Sequence, residues 1–193
     1  MTEAIRASVE AYVPTCGQEE HDWQTILRCL AAFPDLLLRS CQPMHLTASC
    51  WITDPTRTRV LMAYHNLYRS WAWLGGHADG DADLLAVALR EAQEESGIRN
   101  VRPVSAEIFS LEILNVGAHR KRGAYVPAHL HLNVTYLLED DGTEPVRAKP
   151  DENRAVRWFG AEEVLDAVEE VSMHPIYRKL LDGMRRFPPH TDR

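Results

Sequence analysis

The stretch Gly75–Ile98, GGHADGDADLLAVALREAQEESGI, decides the reading of this chain. Asp83–Ser96 contains neither Gly nor Pro and predicts a helix, with Asp83 at the N-cap and Gly97 at the C-terminal cap. On that helix Glu91, Glu94 and Glu95 stand at i, i+3 and i+4 and share one face. Leu85, Ala88, Leu89 and Ala92 form a separate apolar stripe, rotated by roughly 120° from the acids at ~100° per residue. The expectation is a helix packed on a sheet with its carboxylates at the rim. Like charges so spaced repel by a few tenths of a kcal/mol per pair, and a helix C-terminal end disfavours anions. A cation is therefore expected there. Hard carboxylate oxygens around one point suit Mg²⁺ or Mn²⁺, leaving positions for water and phosphate oxygens. An isolated acidic cluster, however, is more often a solvated helix end.

Outward from this helix the pattern alternates. Upstream, Leu46–Thr53 and Arg59–Tyr64 read as strands separated by the turn-forming Asp54-Pro55-Thr56. Downstream, Glu107–Asn115 and His129–Leu138 read as strands joined by a Gly-containing loop rich in His, Arg and Lys. Ala161–Phe187 returns to helix, broken near His174-Pro175. Ahead of everything, Ala4–Tyr12 and Glu19–Phe33 carry apolar residues at helical spacing, and Pro34 ends that pattern. With no internal repeat and no low-complexity linker, the order predicts an α/β domain over residues 45–193 preceded by a helical extension over 1–44.

A chain of 193 residues, 45% hydrophobic and 25% charged, can bury one real core. Its formal charge of −7 argues against a nucleic-acid polymer as partner, because backbone binding draws on clustered Lys and Arg. No stretch approaches membrane-spanning length, and Met1–Glu10 lacks a signal-like apolar run, so the expected location is the cytoplasm. Cys16, Cys29, Cys41 and Cys50 show no C-x-x-C pair and read as reduced structural thiols.

The segment resembles the Nudix box: Gly, five residues, Glu, seven residues, then Arg-Glu-aliphatic-x-Glu-Glu-x-Gly-aliphatic. The pattern falls on Gly76, position 82, Arg90, Glu91, Ala92, Glu94, Glu95, Gly97 and Ile98. Only Ala82 departs from it, standing where the family has Glu. This full spacing outweighs the solvated-helix reading, and the resemblance spans roughly His45 to Val171. It implies an α/β/α sandwich with a mixed sheet, and a hydrolase of acid anhydrides that cleaves a diphosphate linkage in a nucleoside diphosphate derivative or similar small phosphorylated substrate. It further implies Glu91 and Glu95 as Mg²⁺ (or Mn²⁺) ligands, Glu94 supporting the metal cluster or base chemistry, Arg90 orienting a carboxylate, and the Gly75 carbonyl as a further ligand. Glu152, with Asp151 as runner-up, is the candidate for a later acid that joins the metal site. A homodimer is compatible with the resemblance. It names the reaction type better than the reactant.

Further residues bear on substrate. Trp71 and Trp73 alternate before the glycines, so that one can face the core and the other the cleft, where Trp73 could stack on a base. His129 and His131 alternate on one predicted strand. With His77 they suggest either a soft-metal site or a polar sheet face near the cleft; the lack of Cys or carboxylate at ligand spacing favours the latter. His77 is also a candidate substrate contact. His119-Arg120-Lys121-Arg122 is the one dense basic tract, either a phosphate clamp through Arg120 and Arg122 or a solvated hairpin tip. Ala82 motivates a rival, a binding or regulatory protein on a weakened scaffold, with Asp79 and Asp81 as the nearest substitutes for the missing acid. A second rival, an isopentenyl-diphosphate isomerase type, needs a cysteine at the cleft, for which Cys50 is the candidate.

Overall fold

The computed structural model describes residues 2–121 and 123–189. Its elements in chain order are α1 (Thr2–Ala11), α2 (Gly17–Ala32), β1 (Met44–Thr53), β2 (Arg59–His65), β3 (Ser70–Ala72), β4 (Leu74–His77) and α3 (Leu84–Ser96). Then follow β5 (Arg102–Pro103), β6 (Ser110–Val116), β7 (His119–Lys121), β8 (Ala124–Val126), β9 (His129–Glu139), β10 (Asn153–Gly160), α4 (Val164–Ala167) and α5 (His174–Met184). The expected α/β order holds, and the two N-terminal helices are present.

One mixed sheet runs β10-β2-β1-β9-β5, with β3, β4 and β6 paired to β2, β1 and β9 respectively. Its spine is the parallel pair β1/β9, in register from Met44↔Leu130 to Thr53↔Glu139. β1 is shared on its other edge, with Thr47–Cys50 pairing β4 and Ile52–Thr53 pairing β2. Strand alternation sorts the two faces. Leu46, Ala48, Cys50 and Ile52 of β1 and Leu132, Val134, Tyr136 and Leu138 of β9 enter a core shared with α1, α2 and α3. Trp51 and Leu137 point oppositely into a second core under α4 and α5. Toward the start of both strands that second face is polar instead, carrying His45, Thr47 and Ser49 beside His131, Asn133 and Thr135, and among the described residues no helix covers it. This uncovered part is the floor of the cleft.

The caps of α3 are those expected. The Asp83 carboxylate accepts the Ala86 N–H at 3.0 Å, and Gly97 takes the left-handed conformation at φ 77°. The phase of the helix differs from expectation. Its buried residues are Leu84, Val87, Ala88, Ala92, Glu95 and Ser96, whereas Leu85 and Leu89 are only partly buried. At ~100° per residue Glu91 and Glu95 fall in the middle of that buried arc, not on a face of their own. The acids are part of the surface that meets the sheet.

The N-terminal helices are fastened by charge as well as by Ile5, Val9, Ile26 and Leu30 in the first core. Lys179 of α5 places its ammonium 3.0 Å from Glu19 of α2 and 2.9 Å from Glu112 of β6, both carboxylates being buried. Glu112 also accepts from Asn133 Nδ2 at 3.0 Å, which ties this triad to the cleft floor. Removing the shared cation strands two buried anions, so Lys179→Met is expected to cost about 3–5 kcal/mol of stability, read from denaturant unfolding. A loss below about 1 kcal/mol would mean the triad contributes no more than a surface ion pair.

Candidate active site

β4 and α3 approach so closely that side chains are excluded between them. A Cβ on Gly76 would collide with the Glu91 carboxyl carbon, and a Cβ on Gly75 with Ser49 of β1. The Gly75 N–H donates to Glu95 at 3.0 Å. The paired glycines thus let the helix lay two acids directly on the strand. Glu95 is only 5% exposed. Burial, reinforced by Glu91 and Glu152 and only partly opposed by the Gly75 N–H, lifts its carboxyl pKa to about 8. Burial and then Glu94 raise that of Glu91 as well.

Glu94 is exposed, and Lys149 joins it to Glu152 with Nζ–O distances of 3.1 and 2.9 Å. Although burial alone would lower it, the hydrogen bonds it donates to Glu152 and Glu94 hold the Lys149 ammonium well above its usual range. Glu91, Glu94, Glu95, Glu152 and Lys149 all border one cleft of about 1070 Å³. The donor set is of the kind a hard divalent cation takes, four carboxylates bordering one cleft with Glu91 and Glu95 desolvated, although among the described residues no three of their oxygens converge within 4.8 Å of one another.

Arg90 is exposed and reaches back to Asp81 at 3.3 Å, bracing the loop ahead of α3. Asp79 is paired with Arg39, and Ala82 is packed against the first core. Both acids weighed as substitutes for the missing Glu are therefore engaged elsewhere. Trp73 borders the cleft and packs edge-on against Tyr177, with centroids 4.9 Å apart, while Trp71 packs against Phe159 at 4.7 Å. Arg120 borders the cleft from the β7/β8 hairpin and donates to the Gly123 carbonyl at 3.2 Å; Arg122 lies outside the described residues. Cys50 is fully buried, its thiol donates to the Leu74 carbonyl at 3.4 Å, and burial raises its pKa well above normal. It does not face the cleft, which removes the cysteine that an isomerase would use.

A family model described as NUDIX domain matches residues 43–181. The chain belongs to this family. Membership and the retained box make it a Nudix-type pyrophosphohydrolase by class. Solved structures share the fold at low identity. A Nudix hydrolase from M. smegmatis, RenU, is 16% identical with a TM-score of 0.56, over 77% of this chain and 90% of its own. An Ap4A hydrolase from C. elegans is 16% identical with a TM-score of 0.51, over 74% of this chain and 98% of its own. The E. coli dihydroneopterin triphosphate pyrophosphohydrolase is 14% identical with a TM-score of 0.51, over 74% and 93%. No curated protein matches the sequence. Among the described residues no helix is long and apolar enough to cross a membrane.

Sequence reasoning passed over three cleft residues: Arg39, Lys149 and His45. The first two are lone basic residues in loops that only the fold brings to the acids. His45 shares an alternation with Thr47 and Ser49, which was the available signal.

The burial of Glu95 has a measurable consequence. Its folded-state pKa lies above the unfolded value, so folding takes up a proton there; that contribution is present in full below the unfolded pKa and is lost as pH rises through about 8. In metal-free protein the melting temperature should fall as pH rises from the ordinary carboxylate value of 4.5 to about 8 and level off above it, and Glu95→Gln, which mimics the protonated acid, should flatten that fall. An equal fall in both proteins would place the titrating group elsewhere.

Proposed function

We propose that this chain hydrolyses a diphosphate linkage in a nucleoside diphosphate derivative or similar small phosphorylated substrate, using Mg²⁺ or Mn²⁺ held by Glu91 and Glu95. Glu94, Glu152 and the Gly75 carbonyl complete the candidate ligand set. The observation that carries this reading is the pair of desolvated acids laid on Gly75-Gly76 at the wall of a cleft bordered by basic side chains. When bound, the cation supplies Lewis-acid polarisation of a phosphoryl oxygen and a more acidic water. The protein's own residues orient and neutralise. Glu91, held against Gly76, is fixed in direction and is positioned to accept a proton from an attacking water. Lys149 and Arg39 bring positive charge toward bound phosphates, and Arg120 of the hairpin adds to it. Trp73 offers an aromatic wall on which a base or similar ring can stack. Arg90 acts at one remove by holding Asp81. His77 lies on the same wall as a polar contact.

Hydrolysis of a panel of nucleoside triphosphates, nucleotide sugars and dinucleotide polyphosphates with Mg²⁺ tests the reading. Glu91→Gln should lower kcat by about 10²-fold or more with a much smaller change in KM, because the interaction belongs to the transition state. Near-wild-type turnover in that variant would move the catalytic centre elsewhere.

One observation favours a second reading, a weakened scaffold that binds without hydrolysing: Ala82 is partly buried against the first core, and Asp79 and Asp81 are both paired. Ala82→Glu separates the two. A lower Mg²⁺ requirement in an already active protein supports the hydrolase, whereas activity appearing only in the variant supports the binding protein.

A further inference from the structure

Bordering the same cleft as the carboxylates is a second, chemically different group. His45 and His131 are register partners on the parallel strands β1 and β9, and His77 is registered on Thr47 of the same β1. The three rings form a near-equilateral triangle with centroid separations of 5.0, 5.0 and 4.9 Å. One ring nitrogen from each lies within 4.8 Å of the others, and among the described residues they are the one group of His, Cys, Asp or Glu that converges in this way.

We propose that His45, His77 and His131 form a tri-histidine site for a borderline divalent transition ion such as Zn²⁺, distinct from the carboxylate site and opening on the same cleft. Ligand nitrogens ~2.0–2.1 Å from a tetrahedral ion stand ~3.4 Å apart, so closure needs each ring to move by less than about 1 Å. The hydrogen bonds leave one ring nitrogen free on His45 and on His131. His45 Nδ1 faces the Cys41 carbonyl at 3.4 Å, which can only accept, so in the neutral ring Nε2 carries the lone pair. That Nε2 is buried and has no hydrogen-bond partner, an orphan that a metal bond satisfies. His129 Nδ1 faces the Pro127 carbonyl at 2.8 Å, leaving its Nε2 to accept from His131 Nε2 at 3.2 Å and the His131 Nδ1 free to ligate. Such outer partners are what orient metal-binding imidazoles.

The ring charge state agrees. Burial foremost, then Arg39 and His45, lowers the His77 pKa to about 3; burial, then His77 and His45, lowers that of His131 to about 2. Neutral imidazoles are ligands for zinc-like ions and poor electrostatic clamps for phosphate. The nearby Arg39 charge is matched by Asp79. Imidazole nitrogen and carboxylate oxygen select different ions, so the two walls need not compete for one metal. Three protein ligands leave a coordination position facing the cleft for water or a substrate oxygen.

The site is tested apart from hydrolysis, on the full chain stripped of metal and free of any polyhistidine tag. In competition with a chromophoric chelator, wild type should take up one equivalent of Zn²⁺, and Co²⁺ should give the visible bands of a low-coordinate nitrogen site. Glu95→Gln should retain this binding, while His77→Gln and His131→Gln should each weaken it by about tenfold or more. Unchanged affinity in folded histidine variants, or loss in Glu95→Gln alone, overturns the proposal. If the histidine variants prove unfolded by circular dichroism, zinc-edge X-ray absorption on wild type decides. Imidazole scattering supports the site, and a shell of oxygen only overturns it.

Discussion

The close approach of α3 to β4 is the constraint on which the rest of the structure depends. It exists because Gly76 presents no side chain toward Glu91, and it places Glu91 and Glu95 inside the packing surface of the helix. A core-facing helix arc would ordinarily be filled with apolar residues that stabilise by burial. Here two positions of that arc are acids, with desolvation raising both pKa values. Such an arrangement gives up stability locally and gains a wall of carboxylates whose positions are fixed by backbone, since neither acid can swing away without unpacking the helix. Fixed donors are what binding and catalysis require of a site.

The sheet provides the other wall by the same economy of alternation. One face of β1 and β9 feeds the first core along the whole pair, so the opposite face is free to change character along its length. Trp51 and Leu137 close it under α5, and toward the strand starts Thr47, Ser49 and Asn133 are joined by hydrogen bonds of 2.9 and 2.8 Å. That polar floor is anchored through Glu112 to Lys179 and Glu19. The N-terminal helices are thus connected to the floor of the cleft by an unbroken line of paired charge and hydrogen bonds, beside the apolar contacts of Ile26 and Leu30 in the first core.

What was legible in the sequence was local. The α3 caps depend on residues within the segment, as does the i, i+3, i+4 spacing of the acids, and both are present as expected. Strand positions followed from alternation and turn residues, with ends shifted by a few residues. Helix phase was misjudged because periodicity ranks residues by polarity: it separated Leu85 and Leu89 from the acids, whereas the glycines opposite allow the acids inward. That permission lies fifteen or more residues upstream of the acids and acts only through tertiary contact. The histidine triangle needs three strands in register, one parallel to another across more than eighty residues, so His129 and His131 were noticed while His45 was not. Lys149 pairs with Glu94 from a loop fifty-five positions away, a relation that no local pattern encodes.

The departure at Ala82 takes on a different meaning once the loop before α3 is considered as a unit. Asp79, Asp81 and Asp83 are committed to Arg39, Arg90 and the helix N-terminus, so the loop's acids hold its shape, and Ala82 between them is partly buried against the first core. The acidic wall is then limited to Glu91, Glu94, Glu95 and Glu152, of which two already share Lys149. A hard cation held by fewer free carboxylates is held less tightly, because Coulomb attraction at a desolvated wall grows with each unpaired charge. With a cation held there, an anionic substrate would change that balance by offering Lys149 and Arg39 other partners, which would leave Glu94 and Glu152 free to serve as ligands. Cation and substrate would accordingly bind cooperatively, each completing the site for the other, and the wall lacking a Glu at 82 would depend more on that coupling than one which has it.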